Sequence, residues 1–223
     1  MHNFFRPMRR LLGALMALCL AGASGVPGLF AFALAADAAQ PAGQPALVVE
    51  PAPLVPGEAF SLRGIDLASA TRESVLAAEG APDEESDTHL LYMHQLFAGH
   101  SMRLLYMFDA ESGALNAVHY FHISTARKLS QEMLRYEACT EALTLAYGEP
   151  VFFGDIWTPP EAQGEPGDLM ALLEGRMRYE TRWHLPAEPS VGVTLSLSCE
   201  EGGLLLIAGF SVVEAEAGDA PGV

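Results

Sequence analysis

The feature that most constrains the fold is an order of patterns that occurs twice: a helical pattern, a Gly-x-Pro ending, then strand patterns. In residues 71–79 apolar residues recur at helical spacing, and Gly80-Ala81-Pro82 ends the helix. A longer helical pattern over residues 125–147 ends at Gly148-Glu149-Pro150, 68 residues further on. A short helix buries its apolar stripe against a sheet face that needs a cover. The order predicts an α+β fold, with each helix packed on an antiparallel meander sheet.

Alternating or aromatic-rich segments predict the strands, and short turn signals separate them. Because the order of helix and strands occurs twice, we expect two units in tandem, about residues 64–123 and 124–213. The alternative is one irregular α+β domain in which two helices happen to share the same ending. The predicted strands cover residues 90–98, 102–108, 115–122, 151–157, 177–185, 191–199 and 204–213, with an acidic loop at 83–88.

The first 35 residues have the order of a secretory signal peptide. Three arginines precede an uncharged apolar run over residues 11–36, and small residues follow it. Pro27 and nearby glycines interrupt that run, which disfavours a continuous spanning helix. We expect cleavage before Ala36 or after Ala38, and a periplasmic or secreted protein. An inner-membrane anchor is the alternative; lipidation at Cys19 is a third, although Leu18 is an unusual preceding residue.

The remaining boundaries follow from composition. Residues 36–58 are rich in proline and predict an extended linker, residues 59–213 the α+β domain, and residues 214–223 a frayed, disordered acidic tail. The chain has 28 acidic residues against 12 Lys and Arg, a formal charge of −16. Such a charge repels phosphate backbones, so nucleic acid is excluded as a partner.

No sequence motif predicts a catalytic residue, a cofactor or a metal site. Gly-x-Ser-x-Gly, His-Glu-x-x-His and phosphate-loop patterns are absent from the sequence. The alternative enzyme hypothesis is a spatially assembled site that uses His94 and His119 with a carboxylate. A zinc ion bound by the same histidines would need a third ligand, such as Asp109. His119 and His122, three apart on a strand, are expected on opposite faces.

Arginines near the predicted strand 177–185 suggest a ligand or partner face. Arg176, Arg178 and Arg182 have even spacing, which places them on one side of a strand. Hydroxyls of the next strand would lie beside them, so the face could receive an anionic ligand or an acidic partner. The alternative is that these arginines pair with Glu180 on a solvated face.

Two cysteines follow the signal sequence, which predicts a disulfide in an oxidising compartment. Cys139 falls on the apolar stripe of the long helix, and Cys199 on the apolar side of a strand. Packing of that helix on that sheet would bring the sulfurs together. The alternative is two buried free thiols.

The predicted strands 90–98 and 102–108 are apolar on both sides. A sheet of that kind needs a cover on each side. The second cover would be the other half of the protein or a partner.

One stretch resembles a pattern of small exported bacterial proteins. It consists of Gly64-Ile65-Asp66-Leu67, the segment Thr71-Arg72-Glu73-Ser74-Val75-Leu76 and Gly80-Ala81-Pro82. The pattern is similar to SmpA-type outer-membrane assembly lipoproteins and to β-lactamase-inhibitor-protein-like domains. The inhibitor-like proteins contain two such units in tandem. The resemblance implies a non-enzymatic binding domain of the cell envelope, and it transfers no functional residue. We separately expect a protein partner in the cell envelope.

Overall fold

The structure is a computed structural model that describes residues 57–213. These residues form one eight-stranded antiparallel sheet, a two-stranded hairpin and three α-helices. The hairpin is β1 (Ser61–Leu62) and β2 (Ile65–Asp66), and the helices are α1 (Arg72–Glu79), α2 (Leu129–Tyr147) and α3 (Leu169–Leu173). The large sheet contains β3 (Glu84–Ser86), β4 (His89–Phe97), β5 (His100–Phe108), β6 (Leu115–Thr125), β7 (Phe152–Trp157), β8 (Met177–Leu185), β9 (Val191–Glu200) and β10 (Gly203–Val212).

The strand order of the large sheet is β3-β4-β5-β6-β10-β9-β8-β7. The chain enters at the β3 edge and winds inward to β6, then restarts at the β7 edge and winds inward to β10. The last strands of the two runs, β6 and β10, pair with each other at the centre of the sheet, where Phe121 is opposite Ile207. The predicted α+β class with an antiparallel sheet is confirmed.

Local chemistry explains where α1 begins and ends. Thr71 and Ser74 form a capping box, in which the Ser74 hydroxyl accepts from the Thr71 backbone N–H at 2.9 Å. Gly80, at φ 82°, ends the helix and donates its N–H to the Leu76 carbonyl. Val75 points into the core and is fully buried.

Helix α2 packs on the same side of the sheet as α1. Its buried residues Tyr136, Cys139 and Leu143 recur at helical spacing, as the sequence predicts. The Tyr136 hydroxyl lies 2.7 Å from the Thr181 hydroxyl of β8, so a hydrogen bond fixes the helix over the sheet. We call this side the covered face, because the helices and the aromatic core lie on it.

The main core lies between the covered face and the elements packed on it. Its centre is aromatic: the Phe97 ring stacks on Tyr120 at 4.6 Å, and Phe60 stacks on Phe210 at 6.2 Å. Phe60 precedes the β1–β2 hairpin, so these ring contacts also anchor the start of the domain. We call the opposite side of the sheet the helix-free face, since no described helix packs on it.

The predicted helices and all seven predicted strands are confirmed, with ends that differ by at most four residues. The acidic loop predicted at residues 83–88 is partly a strand, because β3 pairs its backbone with β4 at the sheet edge. Helix α3 and the β1–β2 hairpin were not predicted.

Several expectations fall on residues outside the described range. They are the signal peptide, most of the linker, and the acidic tail from residue 214 onward. Within residues 57–213, no helix combines the length and apolar character needed to cross a bilayer.

Candidate functional site

The helix-free face carries an apolar cluster on four adjacent strands. Its buried members are supplied by β4, β5, β6 and β10, and all of them are strand residues. Along each of these strands, the side chains that alternate with those of the main core point to this side. The strands are therefore apolar on both faces. The cluster comprises Leu91, Leu105, Phe121, Leu205 and Ile207, with Met93, Met107 and Ile123 partly buried at its margin.

Beside the apolar cluster, β8 and β9 make the same face polar. Arg178 Nε lies 2.8 Å from one Glu180 carboxylate oxygen, and Arg182 Nε lies 2.5 Å from the other. Glu180 is buried, so the two guanidinium groups supply its charge partners. We call these three residues the ion triplet; it has two cations for one carboxylate.

Cross-strand pairing places the cluster and the triplet next to each other. Ile207 of β10 is opposite Ser196 of β9, and Ser196 is opposite Glu180 of β8. The apolar side chain of Ile207 and the carboxylate of Glu180 are therefore two strand spacings, about 10 Å, apart. A ligand of modest size would contact both.

The three arginines that were expected to share one face do not form a single cluster. Arg178 and Arg182 meet at Glu180, which is the pairing that the sequence offered as an alternative. Arg176 instead pairs with Glu174 at 2.7 Å, outside the triplet. Arg182 keeps 48 % of its side chain exposed and lies 5.0 Å from the centre of the Phe152 ring.

The histidines of the enzyme hypothesis are apart. His94 is exposed at a bulge of β4, and His119 lies on β6 with β5 between them. Two strand spacings, about 10 Å, is too far for shared proton transfer. Asp109 caps its own turn by accepting from the Ser112 backbone N–H at 2.7 Å. These three residues form no common site.

His119 and His122 lie on opposite faces, as predicted. The His119 ring lies beside Gly209 on the helix-free face, whereas His122 Nε2 is 3.5 Å from the Glu132 carboxylate of α2. Burial lowers the pKa of His119 to about 4. At pH 7 the imidazole is therefore neutral. Among residues 57–213, no group of three or more His, Cys, Asp or Glu is placed to hold a metal ion.

The two cysteines are free and buried, in place of the predicted disulfide. Tyr136, one turn before Cys139, bonds Thr181, which is opposite Leu195. Leu195 is four residues, about 13 Å, from Cys199 along β9. From Tyr136 onward, α2 continues toward Phe210, which the Tyr147 ring contacts, and so it extends away from Cys199. Burial raises the pKa of the Cys139 thiol to about 12 and raises that of Cys199.

Comparison with protein-family models, with curated proteins and with solved structures finds no match to this chain. The candidate site therefore depends on the geometry of the helix-free face.

Proposed function

We propose that this chain is an exported, non-enzymatic binding module of the cell envelope that receives a partner protein on its helix-free face. The carrying observation is the apolar cluster beside the ion triplet, on the side of the sheet where no described helix packs. The central members of the cluster are only 2–7 % exposed, so a partner protein would contact the partly buried margin, Met93, Met107 and Ile123, together with the exposed Arg182.

The chemistry of this face specifies the partner. The ion triplet has one more cation than carboxylate, on a chain whose formal charge is −16. A local excess of positive charge favours an acidic group on the partner, and the half-exposed Arg182 is placed to meet it. The partner would present apolar side chains next to an aspartate or glutamate.

Two tandem units are part of this proposal. In each half of the described chain, a helix that ends at Gly-x-Pro precedes four strands in meander order. The last strands of the two halves, β6 and β10, pair at the centre of the sheet. The resemblance to exported inhibitor-like and assembly proteins favours binding over catalysis, and the paired halves are consistent with the tandem units of the inhibitor-like proteins.

Export depends on the amino-terminal sequence. Edman sequencing of the periplasmic or secreted chain should begin at Ala36 or directly after Ala38. Recovery of the whole chain from the cytosol with Met1 attached would overturn the export part of the proposal.

The partner site is tested with the full chain carrying a carboxyl-terminal affinity tag, cross-linked in intact cells. Arg182→Glu should reduce capture of the envelope partner at least tenfold, because Arg178 still neutralises Glu180 while the exposed cation is reversed. Arg176→Glu is the matched control, since Arg176 is similarly exposed but belongs to a separate pair.

Met107→Ser tests the apolar half in the same assay. Met107 is partly buried at the margin of the cluster, and its loss should also lower capture. Equal capture by Arg182→Glu and Arg176→Glu, or no specific partner for the unaltered chain, would contradict the proposal.

A further inference from the structure

A groove lies on the other side of the sheet, between α2 and the edge strand β7. Helix α2 packs over β8, β9 and β10, so the outermost strand extends beyond its flank. The space between helix and strand has a volume of about 550 Å³. Tyr136 and Tyr179 contribute to its lining from α2 and β8, and Phe153 does so from β7.

The groove exposes large apolar side chains. Leu145 of α2 is 85 % exposed and Phe153 is 68 % exposed. Met133, one turn from the start of α2, also lines the groove. Apolar side chains that share one concave surface are typical of an interaction site, whereas single exposed ones are not informative.

The charged groups of the groove all have one sign. Glu137 and Glu141 are four residues apart on α2, so both carboxylates project from the same side of the helix. Both residues are exposed. No Arg, Lys or His is found among the described residues that line the groove. Apolar side chains beside uncompensated carboxylates complement an occupant that is both apolar and cationic.

Backbone geometry favours an extended occupant. Strand β7 is an edge strand, and no other described strand pairs with its outer side. Edge strands offer N–H and C=O groups to an added strand. From Met133 to Leu145 the helix wall is about 18 Å long, which corresponds to five or six extended residues.

We propose that the groove between α2 and β7 binds an extended segment of a partner protein that carries both apolar side chains and Arg or Lys. The apolar side chains would contact Phe153 and Leu145, and the cations would pair with Glu137 and Glu141. This site is on the covered side at the β7 edge, so it is independent of the partner on the helix-free face.

Fluorescence anisotropy with the full chain tests the charge requirement. The probe is a labelled nonapeptide of alternating leucine and arginine, and the reference is the same peptide with glutamate in place of arginine. The arginine peptide should bind saturably and the glutamate peptide at least tenfold more weakly.

A charge-matched pair of variants separates the groove from the general acidity of the chain. Glu137→Lys with Glu141→Lys should weaken binding of the arginine peptide at least tenfold. Asp87→Lys with Glu111→Lys makes the same charge change at exposed turns of the other half and should alter binding less than twofold. Equal losses in the two double variants would overturn the proposal.

The apolar requirement is tested separately. Leu145→Ser and Phe153→Ser should each weaken binding at least fivefold, and neither should unfold the protein, because both residues are largely exposed. Met170→Ser on α3 is the control, being 60 % exposed and not among the lining residues. Unchanged binding in both groove variants would overturn the proposal.

A photo-crosslinker at position 153 identifies the natural occupant in cells. A cross-link to a cationic, apolar segment of another protein is the expected result. A cross-link to residues 1–56 of the same chain, or to a second copy of this protein, would overturn the assignment to a partner.

Discussion

The guanidinium of Arg63 and the carboxylate of Glu79 form a bidentate ion pair inside the protein. The two N–O distances are 2.5 and 2.7 Å, and the side chains are only 11 % and 7 % exposed. The Tyr106 hydroxyl donates to the same carboxylate at 2.6 Å. The pair therefore connects the turn between β1 and β2 with the end of α1 and with β5.

Removal of one partner of this pair should be costly. In Glu79→Gln the Arg63 charge stays buried without its counter-charge, so we expect the free energy of unfolding to fall by about 3 kcal/mol. Urea unfolding followed by circular dichroism measures the change. The double variant Arg63→Met, Glu79→Leu should lose less than Glu79→Gln alone, because neither charge then remains.

A solvent-exposed pair serves as the control for this prediction. Arg176 and Glu174 are 43 % and 51 % exposed, so Glu174→Gln should change the free energy of unfolding by less than about 1 kcal/mol. Similar losses in Glu79→Gln and Glu174→Gln would show that the buried pair has no special weight.

Features of the fold that local physics determines could be predicted from the sequence. A helix ending at Gly80 or Gly148 requires only nearby residues, as does the alternation in residues 191–199. Strand β3 was missed because an edge strand that starts with Glu84 and Glu85 shows no apolar alternation. Helix α3 has five residues, too few for a periodic pattern to appear.

Features that depend on how the elements are arranged could not be predicted. Arg63 and Glu79 belong to different elements, and no spacing rule pairs them. The pattern assigned Cys139 and Cys199 to facing surfaces correctly, but it gave no position along those surfaces. The sequence grouped Arg176 with Arg178 and Arg182 by even spacing, whereas Arg176 precedes β8 and reaches Glu174. The groove also required knowing which strands α2 covers.

The pKa of His119 predicts a loss of stability in mild acid. Its folded value is about 4 because of burial, against about 6.5 in an unfolded chain. Between these values the unfolded state binds the proton and the folded state does not. The contribution of His119 to the free energy of unfolding is therefore fully present above pH 6.5. It is lost as the pH decreases toward 4, which lowers the free energy of unfolding by up to about 3 kcal/mol. Urea unfolding at half-unit pH intervals measures this slope.

Substitution of the ring should flatten that slope. His119→Gln removes the titrating group, so the free energy of unfolding should depend less on pH between 4 and 6.5. His184→Gln removes an exposed histidine on the same face and is the matched control for the substitution itself. Identical slopes for the unaltered protein and His119→Gln would refute the assignment.

The free thiols predict a specific pattern of alkylation. Cys139 is fully buried and burial raises its pKa to about 12, so it should react with iodoacetamide at pH 8 only after unfolding. Mass spectrometry of the purified chain, labelled with and without 6 M urea but without reductant, distinguishes the states. We expect labelling of both Cys139 and Cys199 in urea. A mass two hydrogens lower with no labelling in urea would instead identify the disulfide.

A side chain at Gly175 should lower the free energy of unfolding, for two separable reasons. It has φ 71°, where residues with a Cβ are strained, and an added Cβ would lie 2.9 Å from the Cys199 carbonyl oxygen. Gly113 has nearly the same φ of 70° but open space around it. Gly113→Ala should therefore cost about 1 kcal/mol of unfolding free energy from backbone strain alone. Gly175→Ala should cost at least about 2 kcal/mol, because the backbone of β9 must also shift. Thermal and urea unfolding of the two variants side by side measures the difference, and equal costs would mean that the close approach of this loop to β9 is absent in solution.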